Sequence, residues 1–339
     1  VASVFIEQGV QTIVFARSRQ NTELIASYLK KRFPGLGDAV TAYRGGFLPN
    51  ERRKIERGLR DGSVRCVVST NALELGIDIG RLEAAVLAGY PGSTASLFQQ
   101  AGRAGRSRST SAVVVVASSA PVDQYVVGHA DFLYSRGGEE GYINARNLYI
   151  FMSHLKCAAF ELPFKEGETF GGERIDEALA YLEKEEVLHQ SGGAWHWMAA
   201  GYPAEEISLR SSTAGNFVII NRGSIDMETP AVEVIGEVDR ASAPFFLFEG
   251  AVYLHGSRQF QVEKLDWDNR KAYVKEIRAE YYTDAVTKTD IKVLDVEETA
   301  AGAFTRSCGE ILVRTQVPKY KKIKFATHEN IGYGEIHLP

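Results

Sequence analysis

At 339 residues with 45% hydrophobic side chains, the chain can bury more than one core, so we expect two or three domains. Its three cysteines have no CxxC spacing, which excludes a disulfide framework, and its apolar runs are too short to span a membrane. Residues 1–130 contain 16 basic and 10 acidic side chains, whereas the remaining residues contain 23 and 33. The first part is therefore the better candidate for binding a polyanion. From the cysteine usage and the short apolar runs, we expect a cytoplasmic protein without membrane contact.

Residues 12 to 117 alternate short apolar segments with helical patterns, which is typical of a doubly wound α/β lobe. Five strands are predicted there: Thr12–Ala16, Val40–Tyr43, Cys66–Ser69, Ala84–Ala88 and Val113–Ala117. Because the last strand is almost continuous valine, we expect it to be covered on both faces. A helix is predicted from Thr22 to Phe33, and Pro49 and Gly62 mark the start and end of the next one.

The segment Gln99–Arg106 reads Gln-Gln-Ala-Gly-Arg-Ala-Gly-Arg. In a helix, the spacing i, i+4 and i+7 would place Gln99, Arg103 and Arg106 on one face. Two arginines on one face, separated by small residues, can bind a polyphosphate through forked, permanently charged donors. Taken alone, the segment is equally compatible with a solvated basic helix end.

The segment Cys66–Gly80 contains a buried strand followed by polar residues. Ser69, Thr70 and Asn71 come at the carboxyl end of this strand, where open α/β sheets bind ligands. Their hydroxyl, amide and backbone groups can hold phosphodiester oxygens without reading bases. Asp78 lies on a glycine-flanked turn and suits a ribose hydroxyl or an arginine, although ordinary turn chemistry also explains it.

These two segments, with the basic turn after Thr12–Ala16, resemble motifs IV, V and VI of a superfamily-2 helicase in its second RecA-like lobe. The wording of Thr70–Gly80, Leu87–Gly92 and Ala95–Arg106 resembles more specifically the mitomycin-repair-factor-A (YprA-like) helicases, which are DNA-repair translocases. Segments similar to that family continue downstream at Asp123-Gln-Tyr, Cys157-Ala-Ala-Phe-Glu-Leu-Pro, Glu206-Ile-Ser-Leu-Arg and Gly250-Ala-Val-Tyr-Leu-His. The resemblance therefore extends over nearly the whole chain.

The resemblance implies roles for particular residues. Arg103 and Arg106, with Gln99, would act in catalysis by reaching the γ-phosphate of ATP, and Gly76 and Asp78 would bind the nucleotide. The backbone of the nucleic acid would be held by Arg17, Ser18, Arg19, Arg44, Gly45, Gly46, Ser69, Thr70 and Asn71. Many relatives have a histidine where this chain has the arginine of the Arg-Gly-Gly turn, which leaves the contacts on the base side open.

The sequence contains no GxxxxGK[ST] phosphate loop. Its Asp176-Glu177 pair resembles a DEAx box but opens a helical pattern, so we interpret it as a helix amino terminus. We therefore expect a first RecA-like lobe to precede Val1 in cis and to hold Mg²⁺, and we expect this chain to be inactive alone. We predict no metal-binding residues within this chain.

Residues 131–205 are predicted to form a winged-helix-like domain. Helices are expected over Asn144–Glu161 and around Leu179, followed by a hairpin that carries Trp195 and Trp197 on one strand face. The functional interpretation is a wing or pin that contacts the nucleic-acid strand. The alternative, which aromatic stripes favour in general, is that both tryptophans complete the core of the domain.

Residues 206–298 show period-two patterns, which predict a small antiparallel β-barrel of the SH3 or OB kind. The predicted strands are Phe217–Ile220, Val234–Val238, Val252–His255, Gln259–Leu265 and Ala272–Ile277. Residues 299–339 are expected to begin a further carboxyl-terminal region, incomplete here, whose cysteine cluster would lie beyond Pro339.

The sequence thus predicts the carboxyl-terminal lobe and accessory domains of an ATP-dependent DNA helicase or translocase in DNA repair, acting on single-stranded or tailed DNA. An Lhr-type helicase shares a similar motif V and a winged helix. An RNA helicase of the same superfamily would share the phosphate contacts, and 2′-hydroxyl contacts would distinguish it. A non-enzymatic nucleic-acid-binding module is the alternative of a different class, although such a module would not need the arginine pair.

Overall fold

The computed structural model describes residues 1–75, 79–80, 82–105, 110–135, 138–141, 147–207, 215–223 and 232–338. The chain forms two compact units: one combines Val1–Glu139 with Asn216–Pro339, and the other is Glu140–Gly215. The second unit overlaps the region predicted as a winged helix over 131–205, although its bounds differ from the predicted ones. Within the described residues, the helices are too short or too polar to cross a membrane.

The first part of the larger unit is the predicted α/β lobe. Its elements are α1 Ala2–Glu7, β1 Thr12–Ala16, α2 Arg19–Arg32, β2 Val40–Tyr43, α3 Pro49–Asp61, β3 Cys66–Ser69, β4 Ala84–Ala88, α4 Thr94–Ala101, β5 Ala112–Val116, α5 Pro121–Gly128 and α6 Asp131–Ser135, with 3₁₀ turns at Pro34–Ala39 and Asn71–Leu73. The sheet order is β2-β3-β1-β4-β5, and all four pairings are parallel. The predicted doubly wound, RecA-like sheet is confirmed.

The centre of this sheet is buried on both faces. In β1, Ile13 and Phe15 belong to one core cluster and Val14 to another. Strand β5 differs because it lies at the edge of the sheet, and Val113 and Val116 are 43% and 42% exposed. The prediction that this valine run is covered on both faces is wrong, because a continuous apolar run does not by itself distinguish an edge strand from a central one.

The smaller unit has the helix and hairpin order predicted for a winged helix. Its elements are α7 Leu148–Glu161, β6 Phe164–Lys165, β7 Thr169–Phe170, β8 Glu173–Arg174, α8 Asp176–Lys184, β9 Leu188–Ser191 and β10 Ala194–Trp197, followed by a 3₁₀ turn at Pro203–Glu206. Strands β6, β10 and β9 form an antiparallel sheet. Asp176 opens α8, as the acidic pair predicted.

The strands of the predicted barrel belong to the larger unit. They are β11 Asn216–Asn221, β12 Glu233–Asp239, β13 Val252–His255, β14 Arg258–Asp266 and β15 Lys271–Ile277, with helix α9 Ala243–Phe246 between β12 and β13. The sheet order is β12-β11-β15-β14-β13, and β11 pairs with β15 in parallel, which differs from the predicted fully antiparallel barrel. A Cβ added at Gly236 of β12 would lie 3.0 Å from the His255 ring of β13, so the two edge strands approach each other.

The remaining strands are β16 Tyr281–Val293, β17 Glu298–Ala300, β18 Arg306–Cys308, β19 Ile311–Lys324 and β20 Asn330–Glu335. Strand β19 pairs with β16 and β20. Val317, Tyr320 and Ile336 belong to the same core cluster as Phe217 and Phe260 of the barrel. Strand β19 and the end of β20, in the region predicted to begin a further domain, thus pack against strands that precede them. We refer to the described part of residues 216–338 as the barrel region.

Candidate nucleic-acid and nucleotide site

A cleft of about 150 Å³ lies at the carboxyl ends of strands β1, β3 and β4. It is lined by Phe15, Ala16, Arg17, Thr70, Asn71, Gly89, Pro91, Ser96 and Gln100. Three residues that were predicted to contact the nucleic-acid backbone line this cleft: Arg17, Thr70 and Asn71. Arg17 follows β1, whereas the other two follow β3. The cleft therefore offers a cation, a hydroxyl and an amide to one ligand.

The hydroxyl groups near the cleft differ in accessibility. Ser69 is fully buried, and its Oγ donates to the Thr70 carbonyl at 2.8 Å. Contrary to the prediction, its side chain is therefore not accessible to a nucleic-acid strand. Ser18 is the amino-terminal cap of α2, since its Oγ accepts from the Asn21 amide. Thr70 is half-buried, and its Oγ1 accepts from the Ala72 amide at 3.4 Å. Among these hydroxyls, Thr70 lines the cleft.

Arg44 is not at the surface. Its side chain is 1% exposed, and its Nε donates to Glu23 Oε1 at 2.9 Å. Its Nη2 donates to the Leu254 carbonyl at 2.7 Å and lies 3.1 Å from the Tyr253 hydroxyl of β13. The prediction that the Arg44 side chain holds nucleic acid is wrong in this structure, because its donors bind the barrel region and α2.

The glycines after Arg44 allow this turn to approach the barrel region. Gly46 has φ +95°, and its carbonyl accepts from the Glu237 amide of β12 at 3.0 Å. A Cβ at Gly46 would lie 2.3 Å from the Glu237 carbonyl oxygen, so a larger residue could not be accommodated without a shift. Gly45 is half-buried in the same turn. The turn predicted to bind the strand thus docks on the edge of β12.

Arg19 also faces the barrel region. Its Nη2 lies 2.8 Å from Asp239 Oδ2, and the two side chains are 29% and 31% exposed. The Asp239 pKa is lowered: burial opposes the shift, but hydrogen bonds from Arg19 and Ser242 outweigh it. Arg19 is less exposed than Arg17, whose side chain is 47% exposed, and it does not line the cleft, so Arg19 is the weaker candidate for a phosphate contact.

Glu74, which is not among the residues predicted from the sequence, links the segment after β3 to α4. Its carboxylate oxygen Oε2 accepts from Ser96 Oγ at 2.7 Å and from Gln100 Nε2 at 3.0 Å. Its backbone carbonyl accepts from Arg103 Nε at 2.9 Å and from Arg103 Nη2. A signal was available in the sequence, since an acidic residue in an otherwise apolar Ala-Leu-Glu-Leu run needs polar partners.

Gln99 and Arg103 do not share the helical face predicted for them. Helix α4 ends at Ala101, so Arg103 lies beyond its carboxyl terminus; Gln99 is exposed, whereas Arg103 is 5% exposed. Beyond Ala101 the Arg103 and Ala104 amides donate to carbonyls three residues back, and the Gly105 amide donates to the Leu82 carbonyl at 3.1 Å, so the chain leaves the helical path. Arg106, Gly76 and Asp78 lie outside the described residues.

The two tryptophans of the predicted wing pack inside the smaller unit. Trp195 is 7% exposed and belongs to a core cluster with Leu155 and Leu179. Trp197 packs against this cluster and meets Phe160 edge to face at 5.7 Å between ring centroids. Trp195 is therefore not placed to stack on a base, and the alternative that the tryptophans complete the core is confirmed. Among the residues that the structure describes, no group of three or more His, Cys, Asp or Glu side chains is arranged to hold a metal ion.

Two family descriptions match this chain. Residues 2–108 match the helicase conserved C-terminal domain, and residues 143–212 match the winged helix domain of ATP-dependent helicase HRQ1. The fold and these matches define the class: the chain contains the second RecA-like lobe of a superfamily-2 helicase followed by a winged helix.

Comparison with individual relatives identifies the family within this class. The chain is 49% identical to the uncharacterized ATP-dependent helicase YprA of Bacillus subtilis, over 100% of this chain and 45% of that protein. It is 34% identical to ATP-dependent helicase HRQ1 of Saccharomyces cerevisiae, over 86% of this chain and 28% of that protein. The crystal structure of the DUF1998 helicase MrfA bound to DNA matches with a TM-score of 0.81 and 48% identity, over 100% of this chain and 45% of that one. The chain belongs to the YprA-like family of superfamily-2 helicases and spans less than half the length of these relatives.

Proposed function

We propose that this chain supplies the second motor lobe and accessory domains of an ATP-dependent DNA helicase or translocase. The observation that carries the proposal is the cleft, where Arg17, Thr70 and Asn71 meet beside the Glu74 segment that binds Arg103. A strand bound in the cleft and a nucleotide bound at the arginines would then be connected through one short loop. That connection is what a motor needs to couple hydrolysis to movement.

On the strand side, the cleft would hold the sugar–phosphate backbone. Arg17 supplies a charge, and Thr70 and Asn71 supply hydrogen bonds to phosphate oxygens. Such contacts do not depend on the base, so little sequence preference is expected. Gly45 and the capping Ser18 remain candidates for contacts with the nucleic acid through their backbone amides. The side chains of Arg44 and Ser69 are buried, so we do not propose them as contacts.

On the nucleotide side, Arg106 would stabilise the charge that develops on the γ-phosphate, and Arg103 would support it from its bonded position on Glu74. Gly76 and Asp78 would contact the nucleotide. Arginine and backbone groups fit the phosphates of ATP. Because the Glu74 carboxylate already accepts from Ser96 and Gln100, we assign Mg²⁺ to carboxylates of a first lobe, and we expect this chain to be inactive without that lobe.

Single-stranded or tailed DNA is the proposed partner, since the crystal structure of MrfA, a relative of this chain, has DNA bound. We also propose a role in DNA repair, which the family resemblance implies, and a cytoplasmic location, which the composition indicates. The Lhr-type and RNA-helicase alternatives share the phosphate contacts, so the nature of the strand must be tested directly.

The test compares single-stranded DNA and RNA of the same mixed sequence as activators of ATP hydrolysis by the intact helicase. We expect DNA to stimulate hydrolysis more strongly than RNA, and we expect Thr70→Ala to raise the DNA concentration needed for half-maximal stimulation. Asn50→Ala, an exposed residue at the start of α3, is the control. Equal stimulation by RNA would favour the RNA-helicase alternative, and ATP hydrolysis independent of any strand would contradict the proposal.

A further inference from the structure

A buried carboxylate lies where strands β1, β4 and β5 end. The Asp123 side chain, in the first turn of α5, is 0% exposed. Its Oδ2 accepts from the Ser118 amide at 2.8 Å and the Ser118 hydroxyl at 2.6 Å, and its Oδ1 accepts from the Tyr90 amide at 3.2 Å. One carboxylate thus joins the segments that follow two neighbouring strands, β4 and β5.

The same carboxylate holds the cation of the cleft. Arg17 Nη1 lies 3.3 Å from Asp123 Oδ1 and 3.3 Å from the Tyr90 carbonyl oxygen. Both contacts engage the same guanidinium nitrogen, and the Arg17 side chain is 47% exposed. An arginine has five N–H donors, so the outer part of the guanidinium can still bind a phosphate oxygen.

Glycine at position 89 makes room for this contact. Gly89 has φ +94°, and a Cβ there would lie 3.0 Å from Asp123 Oδ2 and 3.2 Å from Arg17 Cζ. The hydrogen bonds from the Ser118 hydroxyl and amide, with the Tyr90 amide and the Arg17 charge, lower the Asp123 pKa although burial opposes the shift. The carboxylate is therefore ionised at neutral pH and provides a fixed negative charge for Arg17.

We propose that Asp123 is a positioning residue for nucleic-acid binding: it fixes the Arg17 guanidinium at the cleft so that the guanidinium can bind a strand phosphate. The inference rests on the proposed function of the cleft. Fixing the side chain before binding reduces the conformational entropy that binding would otherwise cost. The residue needs no contact with the strand itself.

The charge of Asp123 gives a sharp test, because two effects have opposite signs. If the carboxylate acted only through its charge, replacing it with a neutral amide would remove repulsion and strengthen binding to a polyanion. If it positions Arg17, the same replacement weakens binding. The sign of the change in affinity therefore separates the two explanations.

The experiment measures the affinity of the 339-residue protein for a mixed-sequence single-stranded DNA oligonucleotide at several salt concentrations. We expect Asp123→Asn and Arg17→Ala each to weaken binding about threefold to tenfold at low salt, and to reduce the slope of log K against log salt by roughly 0.7, the value for one phosphate contact on a single strand. The double variant should bind like Arg17→Ala alone. Asp131→Asn, which removes an exposed carboxylate in α6, is the matched control and should not weaken binding.

Thermal unfolding of each variant identifies loss of folding, and Arg17→Lys provides a second route if Asp123→Asn is unstable. Lysine keeps the charge but lacks the fork, so its affinity should be weakened less than that of Arg17→Ala. Binding by Asp123→Asn as tight as wild type, or additive losses in the double variant, would overturn the inference while leaving the proposed function intact. Absence of binding by the wild-type protein would instead contradict the proposed function.

Discussion

Arg44 and Glu23 form an ion pair with 2.9 Å between Nε and Oε1, and each side chain is 1% exposed. Glu23 also accepts hydrogen bonds from the Gly256 and Ser257 amides at 3.2 and 2.9 Å. The pair therefore connects α2 and the turn after β2 in the lobe with the end of β13 in the barrel region. Neighbouring apolar contacts join Leu24 to Val252 and other barrel residues in one cluster.

Breaking this pair should destabilise the larger unit strongly. Arg44→Ala leaves the Glu23 carboxylate buried without its cation, which typically costs about 3–5 kcal/mol in free energy of unfolding. Urea denaturation followed by circular dichroism measures this loss. The control is Arg32→Ala, whose partner Glu7 forms a pair with 60% and 46% exposed side chains, so the expected loss is below about 1 kcal/mol. Equal, small losses in both variants would contradict the proposed structural role of Arg44.

The contacts of Arg44 show which features of the structure the sequence could predict and which it could not. Strand bounds such as Thr12–Ala16 and Cys66–Ser69 agree with the structure because apolar runs and flanking turns are local signals. Two of the partners of Arg44, Tyr253 and Leu254, lie about 210 positions away along the chain, and no local pattern indicates them. An Arg-Gly-Gly turn that binds phosphate and one that binds a protein carbonyl have the same sequence.

A weaker signal did exist. Glu23 lies on the buried face of α2 between Thr22 and Leu24, where an unpaired carboxylate would be costly. That placement indicates a buried cation partner but not which one. The cleft was better predicted, because Arg17 and Thr70 follow parallel strands whose carboxyl ends must meet at one edge of the sheet. The turn of Arg103 away from the Gln99 face could not be read from spacing, which assumes that the helix continues.

Because Trp195 is buried, we expect its replacement to reduce stability rather than to remove a direct contact with DNA. Trp195→Ala should lower the free energy of unfolding of the smaller unit by about 3–5 kcal/mol, because it leaves a cavity against Leu155 and Leu179. Thermal unfolding and binding of a single-stranded oligonucleotide below the transition are the two measurements. His196→Ala, on the exposed face of the same strand, should change neither. If Trp195→Ala abolished binding while its unfolding transition stayed unchanged, the tryptophan would be a stacking residue.

The two arginines of the Gly-Arg-Ala-Gly-Arg segment should have separable effects in the intact helicase. Arg106→Ala should lower DNA-stimulated ATP hydrolysis by about 10³-fold or more with little change in DNA affinity, as expected for a γ-phosphate contact. Arg103→Ala should lower hydrolysis and also destabilise the lobe by about 1–3 kcal/mol, because its bonds to the Glu74 carbonyl are lost. Steady-state hydrolysis, oligonucleotide binding and thermal unfolding measure the three quantities. Loss of DNA binding as the main effect of Arg106→Ala would contradict this division of roles.

Glu139 gives a prediction for acid stability. Its carboxylate accepts from the Thr94 and Ala95 amides at the amino terminus of α4, and these bonds, chiefly that of Thr94, lower its pKa to about 2. The ordinary pKa of glutamate in an unfolded chain is about 4.3. Because the folded-state pKa is the lower one, the contribution of Glu139 to stability is complete above about pH 4.3 and is lost as the pH falls toward about 2.

The measurement is the difference in unfolding temperature between the wild-type protein and Glu139→Gln from pH 7 to pH 2. Taking this difference cancels the titration of carboxylates that both proteins share. We expect a constant difference in favour of the wild type between pH 7 and pH 5, and a difference that declines toward zero between about pH 4 and pH 2, since the protonated carboxyl resembles the amide of glutamine. Glu249→Gln, which replaces an exposed glutamate of the same unit, is the control and should show no such pH-dependent difference. A Glu139→Gln difference that did not change with pH would mean that the carboxylate does not cap α4 in solution.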